Sequence, residues 1–144
     1  MMTLLLVHAL ATVLMFGVIL TVQLVHYPLF AVVGDLRFVA YHREHMRLIR
    51  YVVTVPMVVE LATAVALTLR PPPGVPTWLV WIGLALVILI WVSTWLVQVP
   101  RHADLTKGFD SVAHERLVRS NWIRTAAWGV RSGVALIMIY HFIC

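Results

Sequence analysis

A single cysteine, Cys144, leaves no partner for a disulfide within these 144 residues and no Cys-x-x-Cys motif, which excludes thiol–disulfide exchange chemistry. Acidic residues are nearly as scarce: six Asp and Glu stand against eleven Lys and Arg, and charged residues of both signs make up only 12%. No stretch is polar for long enough to form an extramembrane domain. Hydrophobic residues reach 62% and the mean hydropathy is +0.94, a balance that describes an integral membrane protein rather than a soluble fold.

Four apolar segments stand out, at about 4–25, 51–69, 78–99 and 121–143, each near the ~20 residues a helix needs to cross the hydrocarbon. The first has no basic residues before it and is too long for a signal peptide, so it is expected to span. The expected fold is therefore all-α: a four-transmembrane-helix bundle in one membrane domain, built from two tandem hairpins over 1–70 and 77–144. The net charge of +5 is explained by its placement. Arg37, Arg43, Arg47 and Arg50 flank the first connection and Arg101, Lys107, Arg116 and Arg119 the third, whereas Arg70 alone flanks the second. The positive-inside rule then puts both termini outside and loops one and three in the cytoplasm, in the inner (plasma) membrane. Basicity of this kind reads as topology and contact with the lipid bilayer, not as a nucleic-acid surface.

Punctuation along the chain sets the element boundaries. Pro28 is expected to kink or end helix one, because proline lacks an amide donor and clashes with the preceding turn. Asp35, after Gly34, is the expected N-cap of a second helix from about Leu36 to Leu69, too long to lie wholly within a bilayer. Pro71-Pro72-Pro73-Gly74-Val75-Pro76 closes the first hairpin. Trp78 and Trp81 mark the outer interface of helix three, which is expected to end near Val99, and Ser111 is the expected N-cap of helix four. The two halves look related: His45-Met46-Arg47-Leu48-Ile49-Arg50 matches His114-Glu115-Arg116-Leu117-Val118-Arg119 at a spacing of 69 residues. In addition, Gln23 with His26 and Gln98 with His102 close the two inward helices. Parallel repeats of this sort are related by an axis along the membrane normal.

Five of the seven histidines, His26, His42, His45, His102 and His114, fall at the cytoplasmic end of four helices or their loops. Imidazole is the commonest neutral ligand for soft and borderline metals, and bundles build such sites from facing helices. The expectation is iron or copper at this level, with Gln23 and Gln98 as adjacent cofactor-binding side chains and Glu44, Asp104 and Glu115 as nearby carboxylates. The plainer reading is that interfacial histidines sit among lipid headgroups. Deeper, Glu60 lies in helix two and Asn121, Arg124, Thr125 and Arg131 in helix four. Ionisable groups at such depth face the bundle interior and mark pairing or function. Glu60 is expected to pair with Arg131 or Arg124, or else to form an anion, quinone-oxygen or proton site beneath the histidines. His8 and His141, at the other end, are expected at the interface.

The run His26-Tyr27-Pro28-Leu29-Phe30, the His42/His45 pair and the turn Leu117-Val118-Arg119-Ser120-Asn121-Trp122-Ile123-Arg124-Thr125 resemble small bacterial four-helix membrane proteins of unknown function. More distantly they resemble the anthrone-oxygenase-like membrane proteins, in which a Trp/Asn-x-x-Arg turn opens the last helix. The likeness covers nearly the whole chain in topology, and only Asn121 and Arg124 carry over as site residues. For the distant relatives it implies oxidation of a polycyclic aromatic or quinol-like substrate. Three classes follow: a metal-dependent oxidoreductase acting on a lipophilic small molecule, with Asn121 and Arg124 holding its oxygen; a haem-binding cytochrome with His26/His102 or His45/His114 as axial pairs; and a non-catalytic subunit of a homo-oligomer or larger membrane complex.

Overall fold

A computed structural model describes all 144 residues. It consists of four long helices and no strands: α1 (Met2–Phe30), α2 (Asp35–Leu69), α3 (Thr77–Lys107) and α4 (Ser111–Ile143). Each is long and apolar enough to cross a membrane. At 1.5 Å per residue, the 35 residues of α2 extend about 50 Å, well beyond a hydrocarbon core of about 30 Å. Consecutive helices pack as neighbours and α4 closes back on α1, giving an up-and-down bundle with short connections.

Two apolar clusters form its core. The larger includes Met15, Ile19, Phe30, Phe38, Met57, Ile90, Leu105, Leu117 and Trp128, and the smaller includes Leu5, Leu67, Val75, Leu79, Val80 and Met138. A buried polar layer separates them. There the Glu60 carboxylate accepts from Arg131 Nε at 2.8 Å and from Trp128 Nε1 at 2.9 Å, while Arg131 also donates to the Gly83 carbonyl. His8 Nδ1 lies 2.8 Å from Thr63 Oγ1 in the same layer. His8 is thus buried between helices rather than set at an interface, because Thr63 supplies its polar partner; only His141 is exposed. The outside of the bundle is as apolar as a lipid-facing surface must be, with Leu10, Leu96, Trp95, Trp78 and Trp81 all exposed.

Helix ends and prolines differ from expectation in instructive ways. Pro28 does not end α1 and Pro100 does not end α3. In each, a five-residue π-turn stands just before the proline, Val22–His26 and Thr94–Gln98, closed by an amide bonding five residues back: Tyr27 N–H to Val22 O and Val99 N–H to Thr94 O. The wider turn absorbs the ring's conflict with the preceding carbonyl, so both helices run on. α3 accordingly reaches Lys107, past the expected end at Val99. Asp35 is the first helical residue rather than the cap, a place taken by Gly34 at φ +79° without a side-chain bond. Asp110, not Ser111, caps α4, its carboxylate accepting from Ala113 N–H at 2.6 Å. Asp before the helix displaces Ser because an ionised acceptor bonds the free amides more strongly and meets the positive end of the helix dipole.

Candidate functional site

Loops one and three lie at one end of the bundle, and there an aromatic layer is built around Phe30, which is fully buried. Its ring meets those of Phe38, Tyr41, His42 and His45 at centroid distances of 6.0, 5.8, 5.6 and 5.0 Å. Phe38 stacks on His42 at 5.5 Å and 15°. This layer holds three polar side chains in a row. Tyr27 Oη lies 3.0 Å from His102 Nε2, and His102 Nδ1 lies 3.1 Å from His42 Nε2. In each pair one atom donates and one accepts, so the tautomers along the row are fixed together. His45 packs beside it, 6.0 Å from His102 and 4.8 Å from His26 between ring centroids. His114 lies to one side, its Nε2 bonding the Tyr27 carbonyl at 2.7 Å. The structure thus brings His26, His42, His45 and His102 together and commits His114 to the backbone.

Beneath that layer a second chain runs into α4. Gln23 Nε2 donates to Val118 O at 3.2 Å, Asn121 Nδ2 donates to Gln23 Oε1 at 2.8 Å, and Arg124 Nη1 donates to Asn121 Oδ1 at 3.3 Å. The i, i+3 spacing of Asn121 and Arg124 puts both on one face of α4. Arg124 is only 7% exposed, and its guanidinium carbon lies 5.2 Å from the Trp128 ring centroid. Its Nε has no hydrogen-bond partner and it makes no ion pair. None of the acids is left to serve it. Asp35, Glu44, Asp104, Asp110 and Glu115 are exposed, and Glu60, the one buried carboxylate, is engaged by Arg131 and Trp128. A cation–π contact contributes about 2 kcal/mol even when desolvated, and one long bond to a neutral amide little more. Burying an arginine costs several kcal/mol, so the protein's own contacts leave the cation undercompensated.

Arg124 lies on the wall of a cavity of about 460 Å³. α2 contributes His45, Ile49, Val53 and Met57 to the wall, α3 contributes Trp91, Gln98 and His102, and α1 contributes Ile19 and Tyr27. Exposed Arg50 and Thr54 on one side and Trp95 and Val99 on the other place the mouth between α2 and α3, facing sideways out of the bundle. The lining is mostly apolar. Three fully buried polar atoms of its residues lack partners, Trp91 Nε1, Gln98 Oε1 and Arg124 Nε, Gln98 having used its amide on Ser120 Oγ at 3.1 Å. Apolar walls with a few placed polar groups are the usual form of a small-molecule site.

No three of the His, Cys, Asp and Glu side chains are placed to hold a metal ion. Both nitrogens of His102 and Nε2 of His114 face protein partners. Gln23 spends its side chain on α4, so of the two glutamines only Gln98 reaches the cavity. Glu60 is not on the wall and holds Arg131. Tyr27 and Trp91 carried no expected role; the signal for Tyr27 was its place beside His26 and Pro28, while nothing distinguishes Trp91 from the five other tryptophans. Compared with family models, curated proteins and solved structures, the chain matches none.

Proposed function

We propose that the protein is an integral membrane protein that takes a lipophilic, oxygen-bearing small molecule from the bilayer into the cavity between α2 and α3. Both termini face outward and the basic, histidine-rich end faces the cytoplasm. The observation that carries the reading is a sideways-facing apolar cavity of about 460 Å³ whose polar atoms, those of Arg124, Gln98, Trp91, Tyr27 and His102, are gathered at its inner part. A ligand dissolved in lipid reaches such a mouth without crossing water, and its oxygen meets donors that nothing in the protein satisfies. The quinol-like or aromatic substrate implied by the anthrone-oxygenase-like resemblance suits these walls in polarity. Chain placement also supports the orientation: Arg37, Arg43, Arg47, Arg50, Lys107, Arg116 and Arg119 are all exposed around loops one and three.

The test is binding to purified protein in nanodiscs, read by quenching of tryptophan fluorescence from the cavity, with 1-naphthol and a short-chain benzoquinone as probes. Saturable quenching is expected in the wild type. In Val53→Trp, which fills the cavity, affinity should fall by about tenfold or more while the helical circular-dichroism signal persists. Equal binding by wild type and Val53→Trp would remove the cavity from the reading.

A further inference from the structure

Two buried arginines lie in α4, seven residues apart and so on one face, and they are compensated differently. Arg131 has the Glu60 carboxylate at 2.8 Å. Arg124, a residue of the cavity wall, has Asn121, the face of Trp128 and a buried Nε–H without a partner. Arginine does not shed its proton in a protein, so the positive charge at Arg124 is permanent. We infer that the cavity ligand is itself anionic at its polar end, a lipophile carrying an ionised oxygen acid, and that it supplies the counter-charge for Arg124 that Glu60 supplies for Arg131.

Geometry extends this to a donor pattern. Trp91 Nε1–H and Arg124 Nε–H are buried donors without partners, and Gln98 Oε1 is a buried acceptor without one. The two oxygens of a carboxylate, or the single oxygen of a phenolate accepting twice, satisfy the two donors, and a neighbouring hydroxyl on the ligand satisfies Gln98. An ester, ketone or quinone offers acceptors with no charge and leaves the guanidinium undercompensated. Asn121 acts as a positioning residue. It accepts from Arg124, and its own amide is pinned by Gln23, so the guanidinium is held in place before the ligand arrives. The ionised oxygen belongs either to a ring acid or to a straight-chain acid; both present the same group to Arg124.

This inference rests on the cavity reading above, and its test separates the two. Affinities are measured in nanodiscs, each corrected for partition into empty discs, for two matched pairs at a pH where the acids are ionised. The pairs are 1-naphthoate with its methyl ester and dodecanoate with its methyl ester. The wild type should bind at least one acid about tenfold or more tightly than its ester, and the pair that shows the preference identifies a ring or a chain as the carrier. In Arg124→Gln the acid should weaken to the level of the ester while the ester itself is unchanged. Arg124→Lys should retain part of the preference, since it keeps the charge and loses the planar donor. Esters bound as tightly as acids by the wild type, in a cavity that Val53→Trp still blocks, would overturn the anionic ligand and leave the cavity reading standing. No binding of any of the four probes would overturn both. The wild-type comparison needs no variant, so a failure of Arg124→Gln to fold does not shelter the inference.

Discussion

Replacing Glu60 by glutamine isolates the energetics of the buried layer that separates the two apolar cores. The carboxylate accepts from Arg131 and Trp128 at 2.8 and 2.9 Å, and both charged side chains are 1% exposed or less. Glutamine keeps an acceptor for one donor and turns an NH2 group towards the other. The variant therefore loses one charged hydrogen bond and strands a guanidinium whose Nη2 is already without a partner. Breaking a buried pair from one side costs roughly 3–5 kcal/mol, most of it the desolvated charge left behind. Glu60→Gln should therefore lower the midpoint of thermal unfolding in detergent by many degrees. Arg131→Gln should do the same, and the double variant Glu60→Gln/Arg131→Gln should recover part of the loss, because two neutral amides can bond each other. The exposed pair Arg119–Glu115, at 2.6 Å with side chains 79% and 59% exposed, is the control, and Glu115→Gln should leave the midpoint unmoved. A Glu60→Gln protein as stable as the wild type, or a double variant worse than the sum of the singles, would refute the reasoning.

Two further outcomes follow from geometry. In a Cys144→Ser background, Ala40→Cys and Lys107→Cys should both be labelled by an impermeant maleimide from one side of the membrane only, and in the unsubstituted protein Cys144 should be labelled from the other side; mixed labelling would refute the orientation. Gly74→Ala should destabilise by roughly 1–3 kcal/mol, read as a lower unfolding midpoint, since Gly74 has φ +79° and an added Cβ would meet the His141 carbonyl oxygen at 2.8 Å; an unchanged midpoint would show that the hairpin end relaxes freely.

The four helices are legible in the sequence because apolar length is a strong local signal, and the ion pair because an acid and an arginine at such depth need each other. Which arginine pairs is not legible. Arg124 and Arg131 are seven residues apart on one face, and the outcome depends on Trp128 and the Gly83 carbonyl completing the shell around Arg131. The histidines are legible as a group, and their packing is not. Their convergence comes with aromatic packing on Phe30 and Phe38, and nitrogens of His42, His102 and His114 are turned towards Tyr27, towards one another and towards the backbone. The cavity has no sequence signature, since its walls are the same Val, Ile, Met and Trp that cover the rest of the bundle. The unpartnered state of Arg124 emerges only when every acid in the chain is accounted for in three dimensions.

The π-turns before Pro28 and Pro100 act like an indexing step in a shaft. One extra residue in a turn advances everything beyond it by about 100° around the helix axis, so the two portions of α1, or of α3, need not keep a common phase. The two steps occur in helices that lie diagonally across the bundle, at matching distances from their prolines. Tyr27 and His102 meet at 3.0 Å just beyond the two steps.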